Sequence, residues 1–143
     1  MPDIARILVA VDFSPGSQQA LALAEELARR FAAEVAVLHV DEALSVIPGS
    51  DLAETRRVAA ERAPEDVTAE LRRKDVRARP ILRSGLAAIE IVEAANAEHA
   101  DLLVLGTHGR TGLAHVLLGS VAERVVRTAP CPVLTVRIVA PAA

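Results

Sequence analysis

Four of the seven glycines lie within one short segment, with a spacing suited to binding an anion. Gly106, Gly109 and Gly112 follow an apolar run at steps of three residues, and Gly119 stands directly before Ser120. Glycines let backbone amides come close to a phosphate and tolerate positive φ angles. Because a strand that leads through such a loop to a helix start commonly binds phosphate, the segment predicts a phosphate site.

Ser120 has two interpretations in this prediction. With Glu123 it has the spacing of a capping box, which would make its hydroxyl the N-cap of a helix. The hydroxyl would otherwise, or in addition, bind a phosphate oxygen. The helix is expected to end at Thr128, because Pro130 disfavours helical geometry in the residue before it. A helix start contributes on the order of half a positive charge, and Arg110 would add a full charge at the tip of the loop.

Two common nucleotide motifs are absent. A Walker-type loop needs a lysine directly after its last glycine, but Ser120 follows Gly119 and the only lysine is Lys74. The dinucleotide fingerprint G-x-G-x-x-G is also missing, since the glycines of the loop keep three-residue steps. The loop therefore belongs to a different kind of phosphate site.

Composition limits the classes of protein that remain. The 143 residues suit one domain, and 52% hydrophobic with 24% charged residues is typical of a globular chain. A net charge of −3 and only two aromatic residues, Phe13 and Phe31, argue against nucleic-acid binding. Cys131 is the single cysteine, so it is interpreted as a small buried apolar side chain. No leader or membrane-spanning run is recognisable, and a cytoplasmic location is expected.

The elements that position the loop follow from the hydrophobic pattern. Ser14 as N-cap and Pro15 at the first helical position begin the first helix. Its buried stripe is expected to contain Ala20, Leu21, Ala24, Leu27, Ala28 and Phe31. Strands are expected at residues 4–11, 34–40, 76–83, 101–105 and 132–139.

A second, charged helix is expected to begin at Ser50 or Asp51 and to reach toward Lys74. Pro64 falls inside it and predicts a kink or a restart. A third helix follows Gly85. Five strands alternating with four helical segments predict an α/β fold, with a parallel sheet covered on both faces and the more polar third strand at an edge. Ligands bind such sheets at the carboxyl ends of the strands, where the strand order reverses.

The loop resembles that of the universal stress proteins. Their nucleotide-binding members carry G-x2-G-x9-G-[S/T], which this chain matches at Gly106, Gly109, Gly119 and Ser120. The opening I-L-V-A-V-D-F-S and the segment L-L-G-S-V-A-E-R-V-V-R-T-A-P-C-P-V-L-T-V are also similar to the family. The resemblance extends over nearly the whole chain, with residues 43–79 as the unspecific part.

The resemblance implies one domain over residues 1–143, with a doubly wound five-stranded sheet in the order 3-2-1-4-5 that binds ATP. Asp12 would face the adenosine and Val40 the adenine. Phe13 stands where many relatives have glycine, a frequent variant that could alter access near the base. Family members commonly dimerise through the last strand, which corresponds here to Val133–Ile138. The implied partners are an adenine nucleotide and a second copy of the chain.

The phosphate end of the implied site lies in the loop already described. Gly106, Gly109, Gly119, Ser120 and the amide of Val121 would line the ribose and the phosphates, together with Arg110. A divalent ion, Mg²⁺ or Mn²⁺, would be held by the phosphates rather than by a protein cluster. His108 and His115 lack metal-binding spacing, and His39 is interpreted as structural.

Two functions from different classes remain open. One is an ATP-binding regulatory module of the stress response, because no residue has the position of a base for attack on the γ-phosphate. The other is a slow ATPase, or a phosphotransferase that modifies itself at Ser120 or a loop threonine. A response-regulator receiver domain is excluded, because the lysine it needs after its last strand is missing. A relative that has lost nucleotide binding conflicts with the intact motif.

Overall fold

A computed structural model describes residues 3–42, 49–107 and 118–137, in which five strands alternate with four helices. The alternation predicted from the hydrophobic pattern is confirmed. The strands are β1 (Arg6–Ala10), β2 (Glu34–Asp41), β3 (Ala78–Ser84), β4 (Leu102–Gly106) and β5 (Val133–Val136). The helices are α1 (Pro15–Phe31), α2 (Asp51–Arg73), α3 (Ala87–Ala97) and α4 (Ser120–Thr128).

The strands form one parallel sheet in the order β3-β2-β1-β4-β5, as predicted, with β3 at an edge. β1 lies at the centre, with Val9 level with Val37 of β2 on one side and with Val104 of β4 on the other. The chain moves outward through β2 and β3 and then returns to the other side of β1. The strand order therefore reverses between β1 and β4, and this is where a ligand cleft is expected.

Aliphatic side chains fill a core on each face of the sheet. α1 and α2 cover one face, over residues such as Val9, Val35 and Val37. α3 and α4 cover the other, over residues such as Leu8 and Leu103. None of the helices in the described ranges is long and apolar enough to cross a membrane.

α1 contacts the sheet through a stripe of alanines. Ala20, Ala24 and Ala28 are buried, as predicted, and their small side chains let the helix lie close to the strands. Phe31 was predicted to join this stripe, which is wrong, because its side chain is 49% exposed. Phe31 is the last residue of α1, at the sheet edge where β2 has not yet begun.

α2 runs without a restart from Asp51 to Arg73, although Pro64 lies inside it. Ser50 is the N-cap, and its Oγ accepts from the Ala53 amide at 3.1 Å. Pro64 removes one amide donor from the helix, but its ring is buried and the Thr68 hydroxyl donates to its carbonyl at 2.7 Å. Because tertiary packing supplies most helical stability, the loss of one bond does not end the helix.

Candidate functional site

The candidate site lies at the carboxyl edge of the sheet, at the switch point between β1 and β4. Asp12 follows β1, and Gly106 is the last residue of β4. Val40 is the last residue but one of β2, where it packs on the face covered by α3 and α4. The structure thus brings Asp12, Val40 and Gly106 to one edge, because parallel strands all end on the same side.

Asp12 begins a tight turn that is fixed by hydrogen bonds on both sides. Its Oδ1 accepts from the Ser14 amide at 2.9 Å, and its own amide donates to Ser17 Oγ at 3.2 Å. The Ser17 hydroxyl in turn donates to the Ser14 carbonyl at 3.2 Å. The half-buried carboxylate of Asp12 is therefore held in one orientation at the mouth of the cleft.

The first turn of α1 already has acceptors for its amides. Ser14 is the N-cap, as predicted, and its Oγ accepts from the Ser17 amide at 3.3 Å. The Gln18 amide donates to the Ser14 carbonyl, and Pro15 has no N–H to satisfy. The start of α1 therefore has protein acceptors for the amides of Ser17 and Gln18.

Phe13 has a positive φ of 65°, which is uncommon for a bulky side chain. Its ring lies 5.0 Å from the ring of His39, at an interplanar angle of 50°. His39 Nδ1 is 2.9 Å from the Val11 carbonyl, and because a carbonyl only accepts, this nitrogen is the donor. His39 thus ties the end of β2 to the end of β1, a structural contact of the kind predicted for it.

Gly106 comes very close to the first turn of α1. A Cβ at Gly106 would lie 3.0 Å from the carbonyl carbon of Gly16 and 3.1 Å from its oxygen. Gly106 does not have a positive φ in this structure. Ligand approach and positive φ were the predicted reasons for the loop glycines, whereas at Gly106 the backbone of α1 occupies the space of a side chain.

The two ends of the glycine loop meet at Thr107. Its amide donates to the Val136 carbonyl at 3.0 Å, and its carbonyl accepts from the Gly119 amide at 2.6 Å. Its side chain is only 3% exposed. The start of α4 is therefore fixed beside the end of β4. Gly109 and Arg110, which were predicted to line the phosphates, lie outside the described residues, as do the other residues of 108–117.

The N-cap of α4 is Gly119 and not Ser120, so the predicted capping box is wrong. Ser120 is already the first helical residue, and the Glu123 carboxylate binds Arg127 at 2.5 Å instead. Gly119 takes the extended N-cap geometry, with φ −66° and ψ 161°, while its amide remains bonded to Thr107. Glycine is only slightly worse than serine at this position, so the loop geometry decides the boundary.

α4 consequently begins without a side-chain cap from any described residue. Ser14 caps α1 and Ser50 caps α2, whereas the N-cap of α3, Leu86, makes no side-chain bond and the Ala87 amide donates to Glu42 Oε1 at 2.8 Å. Ser120 and Val121 are both exposed. The first turn of α4 thus lies beside the end of β4 and carries the partial positive charge of a helix start.

Other groups are less suited to chemistry. Burial raises the pKa of the Cys131 thiol, and the nearby Asp101 charge raises it further, so the thiol stays protonated near neutral pH. No group of three metal-binding side chains occurs among the described residues. A cavity of about 590 Å³ lies at the opposite, amino-terminal edge. Its Arg79 is already paired with Glu34 and Glu98.

The strand order of the sheet and the position of the site define the class of protein. A parallel sheet in the order β3-β2-β1-β4-β5, with helices on both faces, places the chain among the doubly wound α/β proteins. A model of the Universal stress protein family matches residues 4–137. The chain belongs to the universal stress protein family.

Individual relatives support the same conclusion. The universal stress protein MJ0531 of Methanocaldococcus jannaschii is 36% identical over 138 residues, which cover 92% of this chain and 81% of that protein. YxiE of Bacillus subtilis is 32% identical over 145 residues, which cover 92% of this chain and 98% of YxiE.

Solved structures show the same fold. The structure of MJ0577 from M. jannaschii has a TM-score of 0.87 and 29% identity, and covers 97% of this chain and 99% of its own. Two structures with lower identity were solved with nucleotides. One is a universal stress protein in complex with cAMP, with a TM-score of 0.70 and 24% identity. The match covers 94% of this chain and 98% of that chain. The other is the universal stress protein of Archaeoglobus fulgidus in complex with dAMP. It has a TM-score of 0.69 and 23% identity, and the match covers 94% of this chain and 99% of that chain.

Sequence reasoning missed two features of the site. One is Gly16, whose backbone occupies the space next to Gly106, and the other is the ring pair of Phe13 and His39. The string S-P-G-S contained part of the signal, because serines at 14 and 17 have N-cap spacing. The approach of Gly16 to Gly106 joins residues far apart in sequence and leaves no local pattern.

Because the N-cap of α4 is Gly119, two serine substitutions are expected to differ in their effect on the free energy of unfolding. Ser14→Ala removes the cap of α1 and is expected to lower the free energy of unfolding by about 1 kcal/mol. Ser120→Ala removes a hydroxyl that caps nothing and is expected to change it by less than about 0.5 kcal/mol. Urea denaturation of both variants measures the difference. If Ser120→Ala lowered the free energy of unfolding as much as Ser14→Ala, the result would support a capping box at Ser120 and contradict Gly119 as the N-cap.

Proposed function

We propose that the protein binds ATP in the cleft at the carboxyl edge and acts as a nucleotide-dependent regulatory module of the stress response. The observation that carries this proposal is the position of the α4 start, which has no side-chain cap from a described residue and is held beside β4 by the bond from Gly119 to Thr107. Amides of a helix start that lack a protein acceptor form a site for a phosphate group. Family membership supports an adenine nucleotide as the molecule that carries it.

The nucleoside end of the proposed site lies at Asp12 and Val40. Asp12 Oδ1 accepts from the Ser14 amide, and the carboxylate is proposed to bind a ligand hydroxyl or amine. Val40 offers a half-buried apolar surface for the adenine. The structures with cAMP and dAMP share only the fold at their identity, so they support the capacity of this architecture to hold an adenine nucleotide.

The phosphate end combines backbone and side-chain donors. The Ser120 hydroxyl, which is not the N-cap of α4, is proposed as a phosphate ligand together with the first-turn amides of α4. A Mg²⁺ or Mn²⁺ ion would bind the phosphate oxygens and lower their charge repulsion. The residues proposed to bind the phosphates and the ribose are Gly106, Gly109, Arg110, Gly119, Ser120 and Val121.

Binding is favoured over catalysis by the position of the acidic groups. Asp12 is the only carboxylate in the turn after β1, and that turn lies at the proposed nucleoside end. The Glu123 carboxylate of α4 is paired with Arg127. Neither is placed as a base for attack on the γ-phosphate. The alternative, a slow ATPase or a phosphotransferase that modifies itself, would use the same cleft.

A substitution at the N-cap tests the phosphate site. Gly119→Val places a branched side chain at the start of α4 and is expected to weaken ATP binding at least about tenfold, because it crowds the amides proposed to hold the phosphates. Titration calorimetry measures the affinity. Far-UV circular dichroism and the urea midpoint check that the fold persists. An unchanged ATP affinity in a folded variant would contradict the assignment.

Turnover with labelled ATP separates the two functions. As a binding module, the protein is expected to release no phosphate above the rate without protein and to incorporate no label. Asp12→Ala and Ser120→Ala serve as matched controls. Release or incorporation that both substitutions abolish would favour the enzyme.

We further propose that the chain forms a homodimer through β5, the edge strand of the sheet. Pro132 and Val136 accept from β4 through their carbonyls, each at 3.0 Å. Since polar groups alternate along a parallel strand, Thr135 directs its amide to the other side, away from β4. This open side is available to the same strand of a second copy. The proposed contact includes residues 133–138.

Proline at the outward-facing position tests the dimer. Thr135→Pro removes the outward N–H but leaves the bonds from β5 to β4 intact, so it is expected to give monomers. Thr135→Ala keeps the amide and is expected to stay dimeric. Sedimentation velocity measures both variants. A dimeric Thr135→Pro protein would point to an interface elsewhere.

A further inference from the structure

We infer that Gly16 and Gly106 act as positioning residues: their backbone contact fixes the nucleoside end of the cleft relative to the phosphate end and couples the two. The inference rests on the proposed function and deepens it. Gly106 then affects nucleotide binding through α1 and not only through direct contact with the ligand. Gly16 takes part in the site although it is buried and lies outside the glycine motif.

The space beside Gly106 is too small for a side chain unless the neighbouring backbone moves. An added Cβ at Gly106 would come within 3.0 to 3.1 Å of the Gly16 carbonyl group, a distance at which the neighbour must move by a few tenths of an ångström. The atoms that would move are backbone atoms in the first turn of α1. A backbone cannot rotate away as a long side chain can, and close-packed interiors transmit such strain.

Three hydrogen bonds connect the residue after Gly16 to the nucleoside end. Ser17, the next residue, accepts from the Asp12 amide through its Oγ and donates to the Ser14 carbonyl. Ser14 in turn donates its amide to Asp12 Oδ1. A displacement of the first turn of α1 therefore moves the Asp12 carboxylate.

One further bond connects Gly106 to the phosphate end. Thr107, the next residue, accepts from the Gly119 amide, and Gly119 is the N-cap of α4. The Thr107 amide is bonded to β5, so this residue is fixed from two sides. The starts of α1 and α4 therefore have a fixed separation, with the glycine pair between them.

A series of ligands separates positioning from direct contact. Gly106→Ala is expected to raise the Kd of both ATP and adenosine by a similar factor, on the order of tenfold, because the Asp12 turn moves for both. Ser120→Ala is expected to raise the Kd of ATP and to leave that of adenosine unchanged. If Gly106→Ala weakens ATP but not adenosine, the residue acts on the phosphates alone and the inference is overturned.

A double-mutant cycle supplies an independent measurement. If Gly106 acts through the turn, Gly106→Ala is expected to cost much less adenosine affinity in the Asp12→Ala background than in the wild-type protein. Equal losses in both backgrounds would overturn the inference. Leu103→Ala, a fully buried change on the opposite face of the same strand, is the control for lost stability. It is expected to lower the urea midpoint and to leave the adenosine affinity unchanged.

Chemical shifts of the protein without ligand test the coupling between the two ends of the site separately from nucleotide binding. Amide chemical shifts of Phe13 and Ser14 are expected to change in Gly106→Ala and to stay constant in Leu103→Ala. Unchanged shifts in Gly106→Ala would overturn the inference while leaving ATP binding intact. A wild-type protein that binds neither ATP nor adenosine would instead overturn the proposed function, whatever the shifts.

Discussion

The architecture of the site depends on how closely two backbones can approach at the switch point of the sheet. α1 starts against the end of β4, where a Cβ at Gly106 would lie 3.0 Å from the Gly16 backbone. This contact lets the stripe of small alanines in α1 lie flat on the central strands. It also places the start of α1, which Ser14 caps, at the same edge of the sheet as the start of α4, which no described side chain caps.

Much of the fold could be predicted because its determinants are local or topological. The β–α alternation and the N-caps Ser14 and Ser50 follow from periodicity and spacing, whereas the strand order came from the family resemblance. The misassignments have physical causes in three dimensions. Ser120 has the spacing of an N-cap, but the bond from Gly119 to Thr107 moves the boundary by one residue. Pro64 reads as a break, but burial against the sheet keeps α2 continuous.

The candidate site could be predicted in outline only. Asp12, Val40 and Gly106 were expected at one edge and lie there, because each follows or ends a parallel strand. The reason for glycine at 106 could not be predicted, since the atoms that exclude a side chain belong to a residue ninety positions earlier in the chain. A motif records which residue type is needed, but the neighbour that requires it becomes visible only in the fold.

Phe13 shows how the turn after β1 gains its definition. A bulky residue with a φ of 65° carries backbone strain on the order of 1 to 2 kcal/mol. The bond from Ser14 to Asp12 and the ring contact with His39 offset that strain and hold the turn in one geometry. Glycine would remove the strain but also the ring that anchors the turn to β2. With phenylalanine, the chain loses some intrinsic stability and gains a preorganised loop, so less conformational entropy remains to be lost when a ligand binds.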